Sequence, residues 1–196
     1  MKRVIRTLHT KSYADRTRFN VAHSDITIAF VFNRNSAGTK KTRQIASGTP
    51  YIEIDAAKYH PIDAAHKICK KLYEWKLTNI LVNIAGNSLR TISKLNLPDN
   101  IDQFWCNNYV YATLKEVINC VGDTVIAEII SGGQTGFDFA GLVAAHKLDI
   151  DYSATFPAQY RQISTIDGTD MYQFTDGAGV LLNIEYYSAK INQENS

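Results

Sequence analysis

The residues best suited to chemistry lie in one run. The apolar pair Ile129-Ile130 is followed by Ser131-Gly132-Gly133-Gln134-Thr135-Gly136-Phe137-Asp138, and an apolar stretch from Phe139 to Ala145 comes next. This reads as a buried strand, a glycine-rich turn and the start of a helix. Glycines let a chain turn sharply and approach a ligand with no Cβ in the way. The first N–H groups of the helix and its positive dipole end then favour a phosphate. Ser131 and Thr135 add hydroxyl donors, and Gln134 can read a polar edge. The same pattern also suits a tight turn without a ligand, since it is neither a Walker loop nor G-x-G-x-x-G.

Two more loops share this character. Asn33-Arg34-Asn35-Ser36-Ala37-Gly38-Thr39-Lys40-Lys41 leads from a buried strand toward a helix, with Gly38 and Thr39 near the helix start. Asn83-Ile84-Ala85-Gly86-Asn87-Ser88 ends another strand, offering Asn83 and Gly86. Three such loops at the carboxyl ends of parallel strands converge on one edge of the sheet, where open α/β sheets bind ligands. Upstream, Asp15 to Asn20 fits a helix ending near His23-Ser24-Asp25, and Arg16 and Asn20, four apart, share one of its faces. That pair could hold a phosphate or a base edge, or belong to a solvated face. Asp138 is the best-placed carboxylate for general acid–base work or for stabilising charge at an anomeric carbon, with Asp25 second. It suits equally a helix cap or an anchor for Arg16.

The elements that must position these loops alternate between apolar runs and helical patterns, which predicts an α/β domain: a mostly parallel sheet flanked by helices on both faces. Strands are expected at Ile26–Phe32, Tyr51–Ile54, Asn79–Ile84, Val125–Ile130 and Gly179–Ile184. Helices are expected at Thr39–Ser47, Pro61–Trp75, Gln103–Val121 and Thr135–Lys147. Asp102 fits an N-cap for the third of these and Pro61 the first turn of the second. With 196 residues the chain suits a single domain over 1–190, followed by a frayed tail, Ile191 to Ser196.

Charge and cysteine content narrow the partners. With 21 basic and 19 acidic residues the balance gives neither a nucleic-acid nor a membrane-binding surface, and no window approaches a membrane span. The basic residues lean toward the first 43 positions, as a solvated face or an anion-attracting patch. Cys69, Cys106 and Cys120 lack C-x-x-C spacing, so neither a disulfide framework nor a zinc knuckle is expected, and Cys69, in helical step with Ile62, Ala65 and Leu72, is expected in a core. No metal site is expected at His60, His66 and Cys69. With no leader-like start, a reducing cytoplasm is the expected setting.

At this point the blocks resemble a known family. Ile130-Ser131-Gly132-Gly133-Gln134-Thr135-Gly136-Phe137-Asp138 resembles the S-G-G-Q-T-G-x-D signature of the molybdenum-carrier family, also described as a circularly permuted YpsA-like branch of the SLOG superfamily of Rossmann-like proteins. Tyr13 to Asp25 is similar to its Y-A-x-R-T-x-x-N-V-x-x-S-D segment. Asn35-Ser36-Ala37-Gly38-Thr39 resembles its G-G-T loop, and Asn83 to Ser88 its N-V-A-G segment. The resemblance covers most of residues 8–157, with the cyclic order of blocks kept and the cut point moved, so that the glycine-rich signature comes last. A Rossmann-like domain tolerates this when its termini lie close together. Three positions depart from the family: Ala37 replaces the first glycine of G-G-T, Phe139 stands where arginine is frequent, and Phe156-Pro157-Ala158-Gln159-Tyr160-Arg161 replaces a P-K-G-R-like loop, with Arg161 as the candidate substitute for the lysine.

The resemblance implies a pocket more than a reaction. It points to a nucleotide-like or other phosphate-bearing small molecule, a nucleotide-derived ligand or a molybdopterin-type cofactor, that the protein carries, senses or sequesters. Ser131, Gly132, Gly133, Gln134, Thr135, Gly136, Gly38 and Thr39 would cradle phosphate, with Arg16, Asn20, Asn83, Gly86 and Asp138 lining or bracing the pocket. The alternatives are a nucleotide N-glycosidic hydrolase using Asp138, although the arginine and paired glutamate of such enzymes are missing from the signature, and a ligand-free interaction protein using aromatics near Trp105, Tyr109 and Tyr111. A homo-oligomer is implied by the resemblance alone.

Overall fold

The structure, a computed structural model, describes residues 1–97, 100–120, 126–166, 169–174 and 176–191. Its centre is a six-stranded parallel sheet: β1 (Arg3–Thr7), β2 (Ile26–Val31), β3 (Tyr51–Asp55), β4 (Ile80–Gly86), β5 (Ile126–Ser131) and β6 (Asp151–Phe156), in the order β1-β6-β5-β4-β2-β3. Among the described residues seven α-helices accompany it: α1 (Tyr13–Ala22), α2 (Ala37–Ile45), α3 (Pro61–Glu74), α4 (Leu89–Ile92), α5 (Gln103–Cys120), α6 (Phe137–Lys147) and α7 (Gly177–Lys190). An antiparallel pair, β7 (Arg161–Ile166) and β8 (Thr169–Phe174), precedes α7.

The order of strands places the ligand crevice. The links from β1 to β2 and from β2 to β3 run toward the β3 edge; those through α3, α5 and α6 run back. Right-handed crossovers therefore put α1 and α2 on one face and α3, α5 and α6 on the other. The packing agrees: α1 touches α2, α5 lies between α3 and α6, and α7 lies against α6. The direction reverses between β2 and β4, and that reversal opens a crevice at their carboxyl ends. Every residue of β2 is buried, which explains its unbroken apolar run, and Phe30 meets Phe137 of α6 and Tyr109 of α5 at ring-centroid distances of 5.7 and 5.9 Å.

Four expectations are corrected. Gly179–Ile184 is part of α7, not a strand: Val180, Ile184 and Ser188 are its buried residues, at helical spacing, and Asp176 caps it by accepting from the Gly179 N–H at 2.7 Å. A six-residue apolar run is too short to separate the two periods. β1 and β6 were not foreseen, because Arg3, Arg6, Asp151 and Ser153 break up their apolar pattern. Ile191 is buried at 3% exposure, so it does not belong to a tail; residues 192–196 lie outside the described ones, as do Val121 and Val125. The fourth correction concerns the cysteines. Cys69 of α3 and Cys120 of α5 form a disulfide, which C-x-x-C spacing could not reveal because the partners are 51 residues apart and meet only through helix packing.

Closing a loop of that length restricts the unfolded chain. Reduction, or the Cys69→Ser/Cys120→Ser pair, is expected to lower stability by about 3 kcal/mol. Urea unfolding with and without a dithiol reductant checks this, and coincident curves would remove the cross-link from the account. Among the described residues no helix is long and apolar enough to cross a membrane.

Candidate functional site

The crevice holds a cavity of about 500 Å³. Of the thirteen residues singled out in the sequence, eight line it: Arg16 and Asn20 from α1, Gly38 from α2, Asn83 and Gly86 from β4, Gly132 and Gln134 from the turn after β5, and Asp138 from α6. The other five, Thr39, Ser131, Gly133, Thr135 and Gly136, do not. The three loops thus meet at one edge, but the glycine-rich turn presents only part of itself.

The reason is that this turn is held by the protein's own groups. Arg16 donates through Nη1 to the Gly132 carbonyl at 3.0 Å. Gln162 Nε2 donates to the Gly133 carbonyl at 2.7 Å. Gln103 of α5 grips Gly136 from both sides, accepting its N–H at 2.7 Å and donating to its carbonyl at 3.0 Å. At the start of α6 the Phe137 N–H goes to the Asn87 carbonyl at 3.3 Å and the Phe139 N–H to the Gln134 carbonyl at 2.9 Å. The Ser131 hydroxyl, fully buried, lies 2.8 Å from the Ile84 carbonyl and 2.7 Å from that of Asp138, which joins β5 to β4 and α6. The Thr135 carbonyl accepts from Leu89 N–H at 3.2 Å. The N–H groups of Gly136, Phe137 and Phe139 are therefore spent on the fold.

The start of α2 is arranged differently. Ser36 is its N-cap, taking the Thr39 N–H at 3.2 Å through its hydroxyl and the Lys40 N–H at 3.0 Å through its carbonyl. The N–H groups of Ala37 and Gly38 have no protein acceptor among the described residues, and both residues line the cavity with Lys41 and Thr42. Thr39 is turned inward, where its hydroxyl accepts from Asn87 Nδ2 at 2.9 Å. Asn87 is the brace that sequence reasoning missed. At 2% exposure, its Oδ1 accepts the Phe32 and Asn33 N–H groups, each at 2.7 Å, fixing the β2–α2 loop to the end of β4. Lys41, Thr42, Arg90 and Thr91 were also missed as lining residues. Lys41 and Thr42 fall three and four residues after Gly38, a helical spacing that could have found them.

Electrostatics favour an anion. Arg16, Lys41 and Arg90 line the cavity against one carboxylate, Asp138. Arg16 Nη2 meets Asp138 Oδ2 at 2.9 Å, and each side chain is about 10% exposed. Burial pushes the Asp138 carboxyl above its ordinary pKa, while the Arg16 charge and the Gly86 amide act to lower it. Four others of the N-terminal basic lean are paired elsewhere: Arg3 with Glu185, Arg18 with Asp15, and Arg34 and Arg43 with Glu53. Asp25 lies away from the cavity, accepting the Leu81 N–H at 2.7 Å.

A wider groove of about 910 Å³ runs between the start of α3 and α5, along Tyr59, Trp105, Tyr109 and Tyr111. Its charged lining residues, Lys58 and Lys115 against Asp102 and Glu116, balance, and none of the three loops opens into it. Tyr109 belongs to the core, only 5% exposed, with its hydroxyl bonded to the Tyr59 carbonyl at 2.6 Å, and Trp105 stacks on it at 5.0 Å. The Arg161 side chain lies outside what the structure describes, so its relation to the family's lysine is not defined.

Comparison with known proteins matches the geometry. Residues 3–97 match the model of the circularly permutated YpsA SLOG family. No curated protein and no solved structure matches the chain. The matched span contains the segment of α1 with Arg16 and Asn20, the β2–α2 loop and the end of β4, and stops before Ser131, as a moved cut point requires. In space the move is small: β1 pairs in parallel with β6, and Arg3 of β1 meets Glu185 of α7 at 2.8 Å. Over residues 3–97, the part that supplies α1, α2 and β4 to the cavity, this chain is similar to the circularly permutated YpsA SLOG family.

Proposed function

We propose that the protein binds a small phosphate-bearing organic molecule, nucleotide-like in size, in the cavity bounded by α1, α2 and the ends of β2, β4 and β5. The observation that carries this reading is the open start of α2 in a cavity lined by three cations and one carboxylate. Its volume of about 500 Å³ suits a small-molecule ligand. The phosphate is assigned to the Ala37 and Gly38 amides and Lys41, with Gly132 and Gln134 on the opposite wall. Ser131, Gly133, Thr135 and Gly136 support that wall from behind, as their internal hydrogen bonds suggest. A molybdopterin-type ligand carries the same phosphate, and no cysteine or histidine stands among the described lining residues to meet its metal.

Binding is favoured over glycosidic hydrolysis by the state of Asp138. A hydrolase needs a carboxylate directed at an anomeric carbon. Here Asp138 is engaged by Arg16, which supports an anchoring role.

Calorimetric titration with adenosine monophosphate and inorganic pyrophosphate tests the reading. Binding is expected to weaken as salt is added. Lys41→Glu is expected to lower affinity about tenfold or more, because it replaces a charge-assisted contact by repulsion. Lys41 is half-buried, and its ammonium bonds the exposed Gln44 side chain at 3.4 Å, so unfolding curves should change little. Failure of both ligands to bind, or an unaffected affinity in the variant, would overturn the assignment.

A further inference from the structure

Among the described residues, the buried Arg16 Nε and Asn20 Oδ1 of α1 have no hydrogen-bond partner. Arg16 is 8% exposed and Asn20 3%, and both residues line the cavity. The terminal nitrogens of Arg16 are already committed, Nη1 to the Gly132 carbonyl and Nη2 to Asp138. Of the other lining asparagines, Asn83 gives its own N–H to Thr27 Oγ1 at 3.1 Å and Asn87 gives its to Thr39 Oγ1 at 2.9 Å. A buried acceptor left unsatisfied is disfavoured and rare, so each case calls for a group that completes it. Arg16 and Asn20, four residues apart, are neighbours on one helix face. One offers an N–H and the other an oxygen, side by side, and α1 packs against α2, whose start carries the open amides.

We propose that Asn20 Oδ1 accepts an N–H or O–H from the ligand while Arg16 Nε donates to an acceptor beside it. The site then selects an organic phosphate with adjoining donor and acceptor groups over a bare oxyanion, and Asn20 is its specificity-determining residue. This rests on the anion-binding reading above. Two parts of a nucleotide supply that chemistry: a base edge with an amino group beside a ring nitrogen, and the paired hydroxyls of ribose.

The test compares the protein with Asn20→Leu, which keeps the side-chain size and removes the acceptor. Each is titrated with adenosine monophosphate, purine riboside monophosphate, the deoxyribose forms of adenosine monophosphate, and inorganic pyrophosphate. Asn20→Leu is expected to weaken adenosine monophosphate about tenfold and leave pyrophosphate unchanged. In the unaltered protein, the analogue missing the donor is expected to bind about tenfold more weakly, and to lose nothing further in the variant, since the coupled groups are then both gone. Loss at the purine analogue assigns the base edge, and loss at a deoxyribose form assigns the sugar. The analogue series on the unaltered protein stands by itself if Asn20→Leu folds poorly. Equal losses for pyrophosphate and adenosine monophosphate would overturn the proposal, because Asn20 would then only shape α1. Analogues that all bind the unaltered protein as well as adenosine monophosphate does would also overturn it. Binding of pyrophosphate without adenosine monophosphate would remove the donor assignment and leave the anion wall; binding of neither would remove both.

Discussion

Replacing Arg16 by methionine is expected to destabilise the protein by about 3–5 kcal/mol at neutral pH, because it leaves the Asp138 carboxylate buried without its counter-charge. The effect should depend on pH in a definite direction. Burial already holds the Asp138 pKa above its ordinary value, against the lowering effects of Arg16 and the Gly86 amide. A carboxyl raised in the folded state adds stability while protonated, below its ordinary pKa of about 4, and that stability is lost as pH rises through the raised folded value. Removing Arg16 deletes the charge that opposes the shift, so the loss deepens at neutral pH and shrinks toward pH values of about 4 and below. The double variant Arg16→Met/Asp138→Leu is expected to regain most of the stability, since a buried ion pair replaced by apolar groups of similar volume is often neutral. Urea unfolding at neutral and acidic pH checks both statements. A loss of equal size at both pH values would mean that Arg16 acts through packing, not through charge.

The second large effect is expected at Gly136. Its backbone lies at φ 101° and ψ −139°, a region nearly reserved for glycine. An added Cβ would run into the backbone of Asn87, Ser88 and Leu89, with Leu89 N and Ser88 Cα each 2.9 Å away. Strain of about 1–3 kcal/mol and overpacking of similar size put the cost of Gly136→Ala on the order of 4 kcal/mol. Because backbone cannot yield as a flexible side chain does, the turn after β5 and the loop after β4 must separate. Ligand affinity should fall together with stability, which distinguishes this variant from Lys41→Glu, expected to change affinity alone. A Gly136→Ala protein with an unshifted unfolding midpoint would show that the two loops are not fitted as tightly as described.

Much of this architecture could be read from the chain. The continuous apolar runs of β2 and β4 announced strands buried on both faces, and the polar loops after them and after β5 announced the shared edge. Arg16 and Asn20 were grouped by their spacing of four, and the structure places both in the cavity. What could not be read had physical causes. The glycine-rich turn advertises open amides, yet Gln103, distant in sequence, takes the Gly136 N–H, and Gln162 binds the Gly133 carbonyl. No local pattern signals that a glutamine on another element will fill the place foreseen for a ligand. The phosphate assignment therefore moves to α2, where Ser36 caps two N–H groups fewer than the helix start offers. Asn87 was hidden for a related reason: it looked like one more polar loop residue, while its side chain ties five backbone and hydroxyl groups of the neighbouring loop. The Cys69–Cys120 pair depends on how α3 lies along α5 and is a property of tertiary packing only.

The most direct test of the central claim is to follow backbone amide resonances by NMR as adenosine monophosphate is added. The account predicts the largest shifts, and protection from hydrogen exchange, at Ala37 and Gly38, with Gly136 and Phe139 nearly unmoved. Shifts concentrated at Gly133 to Phe139, or along Trp105 and Tyr111 in the wider groove, would contradict it.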